Sequence, residues 1–288
     1  MQIVSAVIQG ILLGGLYALF AAGLSFMFGV MRLVNLAHGA LAVLAAYGAV
    51  WLVQTGAFDP LTAAIIVVPA MAALGYVAQR FILQRTLSES PLPSVLVTFG
   101  IAIIISNVLL VTMSANDQGL NAGPIETASI SFGEITIGVF PLIVLAFSIL
   151  VLGGLSLMMA RTQFGRLVRA VSDDEPIVGL IGANPKHIYA IAAAIAFALV
   201  AFAGIGYGIQ TTFKPTSGDI LLIYAFEAVI IGGLGSLWGT LIGSIILGVV
   251  QTVAATFDTS LFQLAGHVVF LIFLVFLPNG IIRRKVRT

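Results

Sequence analysis

Apolar runs of bilayer-spanning length follow one another along this chain with only short polar interruptions, and that leaves it few ways to fold. The runs cover residues 3–30, 36–54, 61–83, 92–113, 137–160, 186–209, 220–234, 237–256 and 262–278. A helix needs about 20 apolar residues to cross a bilayer. Hydrocarbon offers the backbone no partners, so a spanning segment must satisfy its own N–H and C=O groups. Only 8% of the residues are charged, against about 25% in soluble domains, so a water-facing surface could not be covered. The sequence predicts an all-α polytopic membrane protein, with eight or nine transmembrane helices in a single domain over 1–288. The first run is long enough to hide a break. The seventh is short and ends in Gly232-Gly233-Leu234-Gly235, so one discontinuous or re-entrant region is expected. Met1 to Gly10 lacks a basic segment, and the first run reads as retained rather than as a signal peptide.

Charge orients the chain. Of the twelve Lys and Arg residues, all but Lys214 fall in loops that share one side if each run crosses once. These are Arg32; Arg80 and Arg85; Arg161, Arg166, Arg169 and Lys186; and Arg283, Arg284, Lys285 and Arg287. The opposite loops hold Lys214 beside Asp59, Asp117, Glu126, Glu134, Asp219 and Asp258. By the positive-inside rule the N-terminus is outside and the C-terminus cytoplasmic. The outer segment 114–136 is rich in turn formers, and its end, from Thr127 to Ile137, alternates polar and apolar residues around Gly133-Glu134. That pattern reads as a small hairpin, either a docking surface or a solvated linker.

The longest inner segment, 161–186, reads as two short helices. Leu167, Val168 and Val171 give the first an apolar face. Ser172 or Asp173 can cap the second, with Pro176 in its first turn and Gly182 and Asn184-Pro185 to stop it. An apolar knob with a polar rim suits a groove on a soluble partner, and an interfacial helix is the alternative. The acids Asp173, Asp174 and Glu175 favour the protein partner, because anionic lipid would repel them.

Inside the runs, Glu227 is a functional candidate by default, with a structural carboxylate as the alternative. Asn35, His38 and Gly39 lie where the chain turns back and could line a pathway or gate. A His in such a place more often holds a helix end. His267 reads as a packing contact and His187 as interfacial. Gly235, Gly239 and Gly243 recur every four residues, a spacing for close helix packing. No internal repeat is visible. The sequence carries no phosphate-binding G-x-x-x-x-G-K-[ST], no H-E-x-x-H and no G-x-S-x-G. The scattered His residues suggest no metal site, no basic patch suggests nucleic acid, and no catalytic constellation suggests an enzyme.

Four motifs in order resemble one family. Val34-Asn-Leu-Ala-His-Gly39 with Ala46-Tyr47-Gly48, the stretch from Phe164 to Gly182, Gly232 to Gly243, and Leu277-Pro-Asn-Gly-Ile281 are similar to the motifs of branched-chain amino-acid ABC importer permeases. Leu36 stands where that family more often has Phe. The resemblance covers nearly the whole chain. It implies the helical permease bundle of an inner-membrane importer, with a periplasmic binding protein, a second homologous permease subunit and two cytoplasmic ATP-binding subunits that hold the ATP-Mg. This chain would bind no cofactor itself. Solutes would be branched-chain amino acids or related small molecules. It further implies ATPase coupling through Phe164, Gly165, Arg166, Arg169, Asp173, Asp174, Glu175, Gly179 and Gly182, and helix packing through Gly232, Gly233, Gly235, Gly239 and Gly243. A stand-alone secondary transporter or channel is the competing expectation.

Overall fold

The computed structural model describes residues 2–87, 90–133, 135–173, 178–179 and 182–282. Glu134, Asp174, Glu175 and the basic tail from Arg283 to Arg287 lie outside the described residues. The elements in order are α1 (Gln2–Met31), α2 (His38–Gln54), α3 (Pro60–Phe81), α4 (Leu92–Met113), the single turn α5 (Pro124–Thr127), strands β1 (Ser129–Phe132) and β2 (Ile135–Gly138), α6 (Val139–Arg161), α7 (Gln163–Asp173), α8 (Pro185–Gln210), α9 (Gly218–Gly232), α10 (Leu237–Ala255) and α11 (Leu261–Phe276). Among the described residues, six helices are long and apolar enough to cross a membrane: α1, α3 with its short continuation to Arg85, α4, α6, α8 and α10. The runs expected at α2, α9 and α11 fold as shorter helices of 17, 15 and 16 residues.

The long helices divide by what covers them. Both α1 and α8 are apolar all round and largely buried, as core helices are. Helix α4 is equally apolar yet almost bare, which suits a lipid-facing position. Small residues bring the core helices together. Gly10 and Gly14 of α1 lie on the backbone of α10 around Gly248 and Ile245, and Gly75 of α3 lies on Phe197 of α8.

The packing is two-fold related in its connectivity. Helix α1 packs along α10, and α8 along α3; α2 packs on α8, and α9 on α1. Likewise α2 meets α3 and α4 as α9 meets α10 and α11, while the pairs α1–α8 and α2–α9 close the centre. Exchanging α1–α4 with α8–α11 therefore preserves these neighbours. The exchange does not extend to every pair: α10 also packs along α11, whereas α3 and α4 have no comparable pairing among the described residues.

The expected break does not fall within the first run. Helix α1 is continuous, and it is the stretch after it that departs from helix. Arg32 takes φ 51°, and the chain stays non-helical until α2 begins at His38. Strands β1 and β2 pair as an antiparallel hairpin, with Ser129 opposite Gly138 and Phe132 opposite Ile135. It is not a loose linker. Gln9 Nε2 donates to the Thr136 carbonyl (2.7 Å), and Gln118 pairs with Phe213 through two 2.9 Å backbone bonds.

Candidate translocation core and coupling surface

Non-helical backbone inside an apolar bundle must find its partners locally. After α1, Asn35 is buried; its Oδ1 accepts from the Ala37 N–H at 3.0 Å. The Leu36 N–H donates to Thr98 Oγ1 of α4 at 3.1 Å. His38, 1% exposed, sets its Nε2 2.7 Å from the Phe20 carbonyl of α1. A carbonyl only accepts, so Nε2 carries the proton and Nδ1 is the acceptor, without a partner among the described residues. Phe20 precedes Met31 by 31 − 20 = 11 residues, about 16 Å of helix rise. Helix α2 thus starts well up the side of α1, in the middle of the bundle, with His38 tying its first turn to α1.

A second helix starts at the same level. Gly39 and Ala40 lie directly on the Gly218 backbone at the head of α9. A side chain on Gly39 would overlap the Gly218 carbonyl, so both positions require glycine. The structure therefore brings Asn35, His38 and Gly39 together and adds Thr98, Gly218 and Asp219. The sequence places Asp219 in a loop between two runs; in the structure it is the second residue of α9, next to the Gly218 that packs on Gly39 and Ala40.

Glu227 sits apart from this junction. It is 3% exposed and bonds through Oε1 to His267 Nδ1 of α11, whose side chain is 40% exposed. Its Oε2 has no partner among the described residues. His267 is therefore not an isolated packing contact. Beside the pair, Tyr17 of α1 donates to Gln251 Oε1 of α10 at 2.8 Å, and the Tyr17 and Tyr224 rings lie 5.1 Å apart. Neither Tyr17 nor Gln251 stood out in the sequence, although each is a polar group within an apolar run. His187 also has a partner, Tyr76 Oη at 2.9 Å.

The glycine-rich turn and the closing motif form one unit. The N–H groups of Ile281 and Ile282 donate to the carbonyls of Ile231 and Gly232 at 3.0 and 3.1 Å. Gly233, at φ 107°, adopts a backbone that side chains disfavour, and Gly280 rests on it. Gly232 packs on Gly239, and Gly243 packs on Ala228 and Gly232, which seats α10 against α9. Gly235 also has positive φ, at 78°.

Helix α7 is strongly amphipathic, but its apolar face is already taken. Val168 and Val171 are buried, and α7 packs on α6, α1 and α8. Gly165 lies against the Met159 backbone. Arg169 donates to the Met159 carbonyl, and Arg166 Nη1 lies 3.4 Å from the Arg161 carbonyl. Two cations thus serve the carbonyl end of α6. The apolar knob expected for a soluble partner is not offered by this helix. It turns its polar side outward, with Arg166 and Asp173 exposed and Phe164 half-buried. Gly179 is exposed, and Gly182 takes φ 83° before Asn184 caps α8.

The family described as "Branched-chain amino acid transport system / permease component" matches residues 6–277. The chain belongs to this family. Among similar proteins, the high-affinity branched-chain amino acid transport system permease protein BraD of Pseudomonas aeruginosa is 27% identical over 96% of this chain and 94% of its own length. Its counterpart LivH of Escherichia coli is 23% identical over the same shares. The fructose import permease protein FrcC of Rhizobium meliloti is 31% identical over 67% of this chain. No solved structure gives a significant match. As a member of this family of permease components, the chain is a multi-pass membrane protein of a transport system.

Proposed function

We propose that this chain forms half of the translocation pathway of an ATP-driven importer for branched-chain amino acids or related small amphipathic solutes. In this reading it pairs with a second homologous permease, two cytoplasmic ATPases that bind ATP-Mg, and a periplasmic binding protein. The observation that carries it is the junction of two short helices, α2 and α9, in the middle of a permease-family bundle. Discontinuous helices meeting at the midplane between related repeats are where membrane transporters bind solutes.

The chain then crosses nine times with its N-terminus outside, α2 and α9 each completing a crossing begun by a non-helical segment. The one-sided distribution of Lys and Arg supports this orientation. It makes α1–α4 and α8–α11 inverted in topology. Segment 114–136, fastened to Gln9 and Phe213, and the nearby 210–219 receive the loaded binding protein. Segment 161–186 receives the ATPase. Because the valine face of α7 is sealed against the bundle and Arg166 and Arg169 lock it to α6, a push on this segment moves α6 and α8 as one body.

Purification in mild detergent from the native membrane tests the assembly. A co-purifying P-loop ATPase and a second hydrophobic permease are expected; a folded chain that purifies alone would favour the stand-alone transporter. In the reconstituted complex, charge reversal at Asp173 and Asp174 should leave ATP hydrolysis running while uptake falls. Coupled uptake at the wild-type rate would remove 161–186 from the ATPase contact.

A further inference from the structure

Asp219 is the second residue of α9, one position after the glycine that packs on Gly39 and Ala40. The adjoining His38 bonds the Phe20 carbonyl, so the head of α9 lies partway along the bundle axis, about 16 Å from the inner end of α1 by helix rise. Asp219 is nevertheless exposed at the protomer surface, one turn from the exposed Ile223. Among the described residues no side chain donates to it. The ion pairs among the described residues join Lys214 to Asp117 and His267 to Glu227. A charged carboxylate at that depth is not tolerated against lipid tails; such groups face water, a cation or a pathway.

We propose that Asp219 lines the aqueous route between this chain and the second permease, and that it receives the cationic amino group of the passing solute. This rests on the importer reading above and deepens it. The assignment is chemical. An amino acid in transit carries an ammonium group that must leave bulk water, and a fixed, unpaired carboxylate at mid-depth offsets that loss. Ile223 beside it presents an apolar surface to the solute's side chain.

The test uses the whole complex in liposomes, with radiolabelled L-leucine and the binding protein. The chain has no cysteine, so Asp219→Cys gives a unique reporter of water access. The variant is expected to react with a water-soluble thiosulfonate in at least one nucleotide state. Asp219→Asn is expected to cut leucine uptake about 10- to 100-fold, the worth of one charge-assisted contact, while the second permease still co-purifies and Asp219→Glu keeps most activity. Three results overturn the proposal: a cysteine unreactive in every state, an Asn variant that transports at the wild-type rate, or an Asn variant that sheds the second permease. The last would mean that the carboxylate pairs with a cation of that subunit. Wild-type uptake separates the two levels of inference. If the wild-type complex moves no leucine, the importer reading for this solute fails and the inference falls with it.

Discussion

Removing the imidazole of His267 tests whether Glu227 is held by one bond or by the whole cluster. Glu227 is 3% exposed, bonded through Oε1 to His267, with Oε2 unpartnered. His267→Ala leaves both oxygens without a partner in an apolar surrounding. A buried polar group stripped of its hydrogen bond costs about 1–3 kcal/mol. Hydrogen bonds between membrane helices average only about 0.6 kcal/mol and reach about 1.7, because alternative partners are usually near. Tyr224 lies on the same helix one turn away, so partial rescue is available, and the expected loss is about 1–2 kcal/mol. Glu227→Leu alone is expected to cost less. It removes the group that most needs a partner and strands only an imidazole whose side chain is 40% exposed.

The double variant is the informative one. With Glu227 gone, the His267 truncation should cost almost nothing further. Reversible unfolding in mixed micelles, followed by the fluorescence of Trp51 and Trp238, gives the four free energies of the cycle. A coupling of about 1 kcal/mol or more is expected, with the double variant at least as stable as His267→Ala. Single-variant effects that add within about 0.3–0.5 kcal/mol, the range of independent sites, would refute the reasoning and leave Glu227 free for a role in the pathway.

Three further outcomes are expected. Gly39→Leu drives a side chain into the Gly218 carbonyl and should destabilise by about 1–3 kcal/mol, the range for overpacking, read in the same unfolding assay; the same substitution at the uncrowded Gly100, where nothing lies within 4 Å of an added Cβ, should be silent. Gly165→Val pushes α7 off the Met159 backbone, so ATPase co-purification should fall while the bundle keeps its melting temperature. Asp59 accepts from the Thr62 hydroxyl and N–H, which holds its carboxyl below its usual range. A depressed value stabilises above the unfolded carboxylate range and loses that stabilisation as pH falls through the folded value. The stability gap between wild type and Asp59→Ala, measured by thermal unfolding, should therefore be present at pH 6 and close at pH values below the ordinary carboxylate range.

Much of the architecture was legible because apolar length and charge placement are properties of composition along the chain. What stayed hidden is depth. The run 36–54 reads as a span with an ordinary loop before it, and the run 220–234 reads as discontinuous only from its shortness and its glycine-rich end, since an apolar stretch does not disclose at what level its helix begins. Only the contacts His38–Phe20 and Gly39–Gly218 fix that level. Asp219 reads as loop because it falls between the runs 186–209 and 220–234, yet it is the second residue of α9. Likewise the apolar face of α7 was legible as a face, but nothing in residues 163–173 says that Val168 and Val171 turn toward α1 and α8 rather than toward a soluble partner. The four sequence motifs were visible singly. That the Gly232–Gly235 turn and Leu277–Ile281 are one interlock follows from two backbone hydrogen bonds that leave no trace in residue type.

The same interlock bears on why the two halves diverge in sequence while keeping one packing scheme. Helix α2 is anchored at its head by side chains: Asn35 on Ala37, Thr98 on Leu36, His38 on Phe20. Helix α9 is anchored at its tail by backbone, where Ile281 and Ile282 bond the carbonyls of Ile231 and Gly232. Side-chain anchors demand particular residues at 35–38 and 98, whereas backbone anchors demand only the glycine conformations of 233 and 280. The neighbour relations survive the exchange of halves because they depend on small residues at crossings, but the anchors do not correspond.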